Sequence, residues 1–150
     1  KDFSALIWAK FDSNASGEAA LLLSNLDYLS ESPSGFEMAR LKNGNFAVVI
    51  GANDPLDSGQ KIEPGKFHLL GVVRTGEKAT LYVDGKRAKE FKDINGSVKG
   101  SQTVQIARAV KSAIAQWKGN IASISFFGKI LNEKEIQGYF RCGDIERGQE

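Results

Sequence analysis

The sequence predicts an all-β fold: a two-sheet antiparallel jelly-roll sandwich with one short C-terminal helix. Three observations carry this. Apolar runs of five to nine residues recur along the chain, each bounded by Gly, Asn, Asp or Ser. Turn dipeptides that favour positive φ fall between several of them. No helical periodicity intervenes before residue 132, which argues against alternating βα units.

The strand candidates are Phe3 to Lys10, Ala19 to Leu26, Phe36 to Leu41, Asn45 to Ile50, Lys66 to Arg74, Ala79 to Asp84, Thr103 to Ala107 and Asn120 to Phe127. All are rich in the β-branched, aromatic and aliphatic residues that suit a pleated, half-buried surface. Lys42-Asn43-Gly44-Asn45 sets Asn-Gly between two runs and predicts a type I′ hairpin. Thr75-Gly76-Glu77 joins the Phe67 to Val73 run to Ala79 to Val83, and Asp84-Gly85 turns the chain back into Arg87 to Phe91. Hairpins this close together make an antiparallel meander, the unit of sandwiches and jelly rolls. The helix is predicted at the end. Asn132 is the cap, Glu135 its capping-box partner, and Ile136, Tyr139 and Phe140 form the apolar stripe, which stops by Gly143.

Composition bounds the rest. A length of 150 residues predicts one domain over residues 1–150, which would bury roughly 70% of its unfolded surface. With 41% hydrophobic and 25% charged residues the chain is globular. No apolar run exceeds five residues, far below the ~20 of a membrane-spanning helix, so membrane insertion is not expected. A net charge of +2 with interspersed signs gives no call for nucleic acid. Cys142 is the only cysteine, so no internal disulfide exists; in a secreted protein it would pair with another domain or chain. The chain opens on Lys1-Asp2-Phe3, as expected of a mature or excised domain.

Four elements in order carry a family resemblance. Gly65-Lys66-Phe67-His68 leads into a strand, followed by Leu81-Tyr82-Val83-Asp84-Gly85-Lys86. Then come Trp117-Lys118-Gly119-Asn120-Ile121 and Lys129-Ile130-Leu131-Asn132-Glu133-Lys134-Glu135-Ile136. The series resembles the laminin-G-like and concanavalin-A-like jelly rolls, which include pentraxins and thrombospondin N-terminal domains. Phe67 stands where that pattern usually has Trp, and Leu69 where it has a second His. The shared residues build hairpins and core, so the resemblance implies the fold and leaves the ligand open.

Catalysis is not expected. Glycosidases on such sandwiches align Glu-x-Asp-x-Glu along one strand, where a period of two puts the carboxylates on one face. No such run occurs, and no Gly-x-Ser-x-Gly surrounds a serine. The lone histidine, His68, reads as a structural strand residue, and Trp8 and Trp117 as core.

The candidate sites are therefore binding sites. Tyr28, in a polar connection running to Gly35, is an aromatic platform for a sugar ring. Arg40 and Arg108, near strand ends, are donors for carboxylate or sulfate. Asn53, Asp54 and Asp57 offer hard oxygens of the kind calcium takes, although such residues also serve turns. Lys86, Arg87, Lys89 and Lys92 form a polyanion candidate; edge-strand lysines that discourage sheet-to-sheet pairing are the preferred reading. On one strand, alternation would set Lys86, Ala88, Glu90 and Lys92 on one face and Arg87, Lys89 and Phe91 on the other. The expected function is a non-catalytic, carbohydrate-binding module of a secreted or cell-surface protein. Its rivals are extracellular protein interaction, oligomeric assembly and glycosaminoglycan binding.

Overall fold

The computed structural model describes residues 2–14, 19–27, 29–99, 103–107 and 115–146. Among the described residues eleven strands and one helix follow in order: β1 (Phe3–Phe11), β2 (Ala20–Ser24), β3 (Phe36–Arg40), β4 (Asn45–Ile50), β5 (Leu56–Lys61), β6 (Phe67–Thr75), β7 (Lys78–Val83), β8 (Lys86–Phe91), β9 (Gln105–Ile106), β10 (Ala115–Gln116), β11 (Gly119–Phe127) and α1 (Glu133–Glu146). One sheet has the order β11-β1-β6-β7-β8 and the other β10-β2-β3-β4-β5, with β9 also paired to β2. This is the expected jelly-roll sandwich. Pairing is antiparallel except for the short parallel bridge of β10 on β2.

The apolar run at Ala5 to Ala9 lacks alternation because both faces of β1 are covered. Ala5, Ile7, Ala9 and Phe11 point between the sheets, where they meet Leu22, Met38, Phe46, Val48, Leu70, Val72 and Leu81. Leu6 and Trp8 point the other way. They join Leu69, Val73 and Tyr82 beneath Leu131 and Ile136, in a second core between the sheet and α1. Gly71 lies within this arrangement because a Cβ there would stand 2.7 Å from Leu6 Cδ2.

The helix is capped as predicted. Asn132 Oδ1 accepts from the Glu135 amide at 2.9 Å, and Glu135 Oε2 accepts from the Asn132 amide at 2.9 Å. Leu131 and Ile136 close on each other in the outer core as a hydrophobic staple. Ser4 ties this entry to β1: its hydroxyl donates to the Lys129 carbonyl at 2.8 Å and accepts from the Leu131 amide at 2.9 Å. The helix does not stop at Gly143 but runs to Glu146. Gly143 is a packing residue, since a Cβ would meet the Trp8 indole at 2.3 Å.

Two other expectations are corrected. Asn43-Gly44 is not a type I′ turn, because Gly44 has a φ of 85° while Asn43 stays out of the positive region. The Gly44 amide donates to Leu41 and the Leu41 amide to Asn45, a three-residue loop with Gly44 as its left-handed residue. The I′ pattern belongs to Asp84-Gly85, with φ of 53° and 77°. Asp57, grouped with Asn53 and Asp54 as a turn residue, instead lies on a strand that the strand candidates omitted, β5 at Leu56 to Lys61.

Candidate functional site

At one open end of the sandwich, β5, β6, the Asp84-Gly85 turn and α1 enclose a cleft of about 530 Å³. Its floor is a hydrogen-bonded pair. His68, 3% exposed, receives the Glu63 amide on Nε2 at 3.0 Å, which leaves Nδ1 to carry the proton. Nδ1 lies 2.8 Å from Asp84 Oδ2, and the other oxygen of Asp84 accepts from the Leu69 amide at 3.0 Å. Positive φ at Asp84 is what turns its carboxylate back onto β6. Both His68 nitrogens and both Asp84 oxygens are thus engaged, one of each with the other side chain and one of each with a backbone amide.

The walls carry the charge. Lys61 comes from the end of β5, Lys66 from the loop before β6 and Lys86 from the start of β8, with Gln60 and Glu63 beside them and Phe140 of α1 on one side. Lys61 Nζ also donates to the Asn43 carbonyl. All three lysines are solvent-exposed, and Phe140 is half-buried, stacked on Trp8 at 5.7 Å. The arrangement offers movable cationic donors, one neutral amide and an apolar edge.

A second groove, of about 720 Å³, lies between α1 and the outer face of β1 and β11, lined by Trp8, Ser123, Ser125, Glu135, Tyr139 and Cys142. Cys142 is exposed there. Lys129 donates to Glu135 at 2.8 Å, and this bond, with the Asn132 amide, draws the Glu135 carboxyl below its ordinary range.

The residues singled out in the sequence are dispersed. Tyr28 and Arg108 lie outside the described residues. Arg40 does not reach solvent as a ligand contact would: it is 8% exposed, its guanidinium lies 4.5 Å over the Phe11 ring, and burial lowers its pKa. Asp57 sits on β5, its oxygens accepting from Asn43 Nδ2 at 3.1 Å, Asn45 Nδ2 at 2.9 Å and the Gly59 amide at 2.8 Å. Burial pulls the Asp57 carboxyl up, but these bonds, helped by the charge of Lys89, outweigh it and the net shift is downward. Asn53 donates to the carbonyls of Ile50 and Asn95 at 2.5 and 2.6 Å, and Asp54 is exposed. An ion at this segment would have to take Asp57 from three donors. Among the described residues no group of three or more His, Cys, Asp or Glu side chains is placed to hold a metal.

Lys86, Arg87 and Lys89 of β8 and Lys92 just beyond it do not form one patch. The β7–β8 register slips between Leu81 and Tyr82, so Lys89 faces Leu81 while Arg87 faces Tyr82 and Glu90 faces Thr80. The slip passes over Ala88 and breaks the simple alternation. It brings Arg87 onto the face of Glu90, where the two pair at 2.9 Å. Lys89 lies 5.0 Å over Phe91, Lys92 is exposed, and Lys86 alone reaches the cleft. Trp8 and Trp117 are core as read, Trp117 set edge-on to Phe11 at 5.0 Å. Sequence reasoning missed Gln60, Lys61 and Lys66. The available signal was the Lys66-Phe67-His68 entry to β6, which puts a lysine beside the buried histidine.

A model of the concanavalin A-like lectin/glucanases superfamily, in its laminin-G-like branch, matches residues 1–137. The chain belongs to this family. A search of curated proteins found no match. Solved structures share the fold. A Trypanosoma rangeli sialidase superposes with a TM-score of 0.71 at 18% identity, covering 96% of this chain and 23% of that one. A heptameric SAP-like pentraxin from Limulus polyphemus gives 0.70 at 14%, covering 94% and 70%. The binding domain of botulinum neurotoxin serotype D gives 0.66 at 14%, covering 95% and 36%. The domain thus spans about a quarter of the sialidase (23%). Among the described residues no helix is long and apolar enough to cross a membrane.

Proposed function

We propose that this domain is a non-catalytic recognition module of a secreted or cell-surface protein, and that it binds acidic carbohydrate in the cleft above His68 and Asp84. The observation that carries the reading is the convergence of Lys61, Lys66 and Lys86, from three separate elements, on one cleft that also holds Gln60 and Phe140. Lysine ammonium groups act as point charges toward carboxylate or sulfate. The amide serves a hydroxyl, and the aromatic edge serves the apolar face of a sugar ring. The family and its relatives support the same class: the sialidase has been solved with sialic acid bound.

The use made of the carboxylates supports binding without turnover. Glycoside hydrolysis takes an acid and a base or nucleophile roughly 5–10 Å apart across the sugar. Of the two carboxylates at the cleft, Asp84 is committed to His68 and the Leu69 amide, which leaves Glu63. The test is calorimetric titration with a sulfated oligosaccharide and its desulfated counterpart at two salt concentrations, with product analysis alongside. Expected are binding of the sulfated sugar only, weakening with salt, no cleavage, and a loss of about tenfold in the Lys66→Ala/Lys86→Ala variant. Equal binding of both sugars, or a variant that binds as before, would remove the cleft as the site. Released product would remove the non-catalytic reading.

A further inference from the structure

The pentapeptide Asp-x-Asn-x-Ser occurs twice, as Asp12-Ser13-Asn14-Ala15-Ser16 and as Asp93-Ile94-Asn95-Gly96-Ser97. Each contains Asn-x-Ser with no proline in the middle, the acceptor pattern for an asparagine-linked glycan. Turn chemistry accounts for part of the first, since Asp12 Oδ1 accepts from the Asn14 amide at 3.0 Å. The second is the more informative, because all five of its residues are described.

Residues 93–98 run across the end of the sandwich away from the cleft. Ile94 is buried in the core between the sheets, and the backbone around it is pinned. Arg74 Nη2 donates to the Ile94 carbonyl at 3.1 Å, Asn53 Nδ2 to the Asn95 carbonyl at 2.6 Å, and the Gly35 amide to the Ser97 carbonyl at 2.7 Å. None of these bonds uses the side chain of Asn95 or Ser97, and both residues are exposed, as are Asp93 and Gly96. Asn95 Nδ2 makes one long bond, 3.3 Å to the Asp93 carbonyl. Gly96 has a φ of 94°, and a Cβ there would stand 3.3 Å from Gly51 Cα, so glycine fixes the bend between the amide and the hydroxyl. The loop holds its backbone and presents its side chains.

We propose that Asn95 is a glycosylation site, taking an oligosaccharide carried on a lipid pyrophosphate. This rests on the secreted or cell-surface reading above, since such acceptors are used in secreted chains. Asn95 Nδ2 bonds to the anomeric carbon of the donor. The bond from that carbon to the pyrophosphate oxygen breaks with its electron pair, and one Nδ2 proton is lost. The remaining Nδ2 hydrogen still serves the Asp93 carbonyl, so the loop keeps its bonds. The folded chain also leaves room for so bulky a group. Along β6, Arg74, which holds this loop, lies six residues from His68 of the cleft, roughly 20 Å at the rise of a strand. A glycan on Asn95 therefore covers one end of the sandwich and leaves the cleft open. One on Asn14 would stand beside the cleft, because a Cβ on Gly65, next to Lys66, would lie 3.5 Å from Ser13 Cβ. Ser16 lies outside the described residues, and the assignment is made at Asn95 alone.

Tandem mass spectrometry of the peptide spanning Asn95, from the full chain produced in its own host, tests this. Expected is an oligosaccharide on Asn95 in the native chain and in Ser97→Thr, and none in Asn95→Gln or Ser97→Ala. Asn95→Gln should bind a sulfated oligosaccharide as the native chain does. A bare Asn95 in a chain recovered outside the cytoplasm overturns the proposal and leaves the cleft reading untouched. Confinement of the chain to the cytoplasm overturns the proposal together with the secreted reading. A glycan on Asn95 that survives Ser97→Ala overturns the acceptor pattern as its cause. If the variants fail to fold, the native peptide decides: a glycan located on Asn95 supports the proposal, and an unmodified one refutes it.

Discussion

His68 Nδ1 and Asp84 Oδ2 lie 2.8 Å apart, and through them one hydrogen-bonded chain joins the Glu63 amide, β6, the β7–β8 turn and the Leu69 amide. The pair sets the floor of the cleft and its upper rim at once. His68→Ala would leave the Glu63 amide and one Asp84 oxygen without partners, a loss of about 1–3 kcal/mol. Chemical denaturation should report that loss. Nitrogen-15 shifts of the native imidazole should show a protonated Nδ1 and a bare Nε2; the opposite tautomer would contradict the assignment.

Asp57 governs part of the acid limb of stability. Its carboxyl titrates below the ordinary range when folded, so in acid the unfolded chain takes up the proton first. The stabilisation is full above about pH 4, the unfolded value, and is lost as pH falls through the lower folded value. Asp57→Asn should therefore flatten the decline in melting temperature on acidification, with little effect at neutral pH on the slope. An unchanged acid profile would show that the Asn43, Asn45 and Gly59 donors do not act as described.

Gly71 should be intolerant of the smallest side chain. Gly71→Ala drives a methyl into Leu6 Cδ2, which a Cβ would approach to 2.7 Å; overpacking of this kind costs about 1–3 kcal/mol. Shortening Leu6 in the same chain should recover part of that loss, a coupling that a double-mutant cycle measures. Additive losses would place the strain elsewhere.

Asn132→Ala removes the acceptor for the Glu135 amide and should lower stability by about 1 kcal/mol. The sheets should persist, since α1 covers only the outer core. Dichroism should show the strand signal retained at temperatures where the helical contribution weakens.

Much of the scaffold was readable because hairpin chemistry and apolar runs are local. Phe3 to Lys10, Asn45 to Ile50, the Asp84-Gly85 return and the Asn132–Glu135 box each announce themselves within a few residues. β5 was hidden because Leu56-Asp57-Ser58-Gly59-Gln60-Lys61 holds a single large apolar residue and pairs through backbone. The Asn43-Gly44 turn followed a dipeptide rule, whereas its geometry was decided by the Gly44 and Leu41 amides, which donate to the Leu41 and Asn45 carbonyls. The cleft was illegible for a different reason. Lys61, Lys66 and Lys86 lie up to 25 positions apart, and only the stacking of β5 beside β8 makes them neighbours. Arg40 reads as a surface donor until the sheet is closed and its guanidinium proves to lie on Phe11.

The most direct test of the recognition account is to map amide shifts by nuclear magnetic resonance while a sulfated oligosaccharide is added. Perturbations confined to residues 60–68 and 84–87, reversed by salt, are the predicted result. Shifts confined to any other surface, or a spectrum unmoved at saturating sugar, would contradict it.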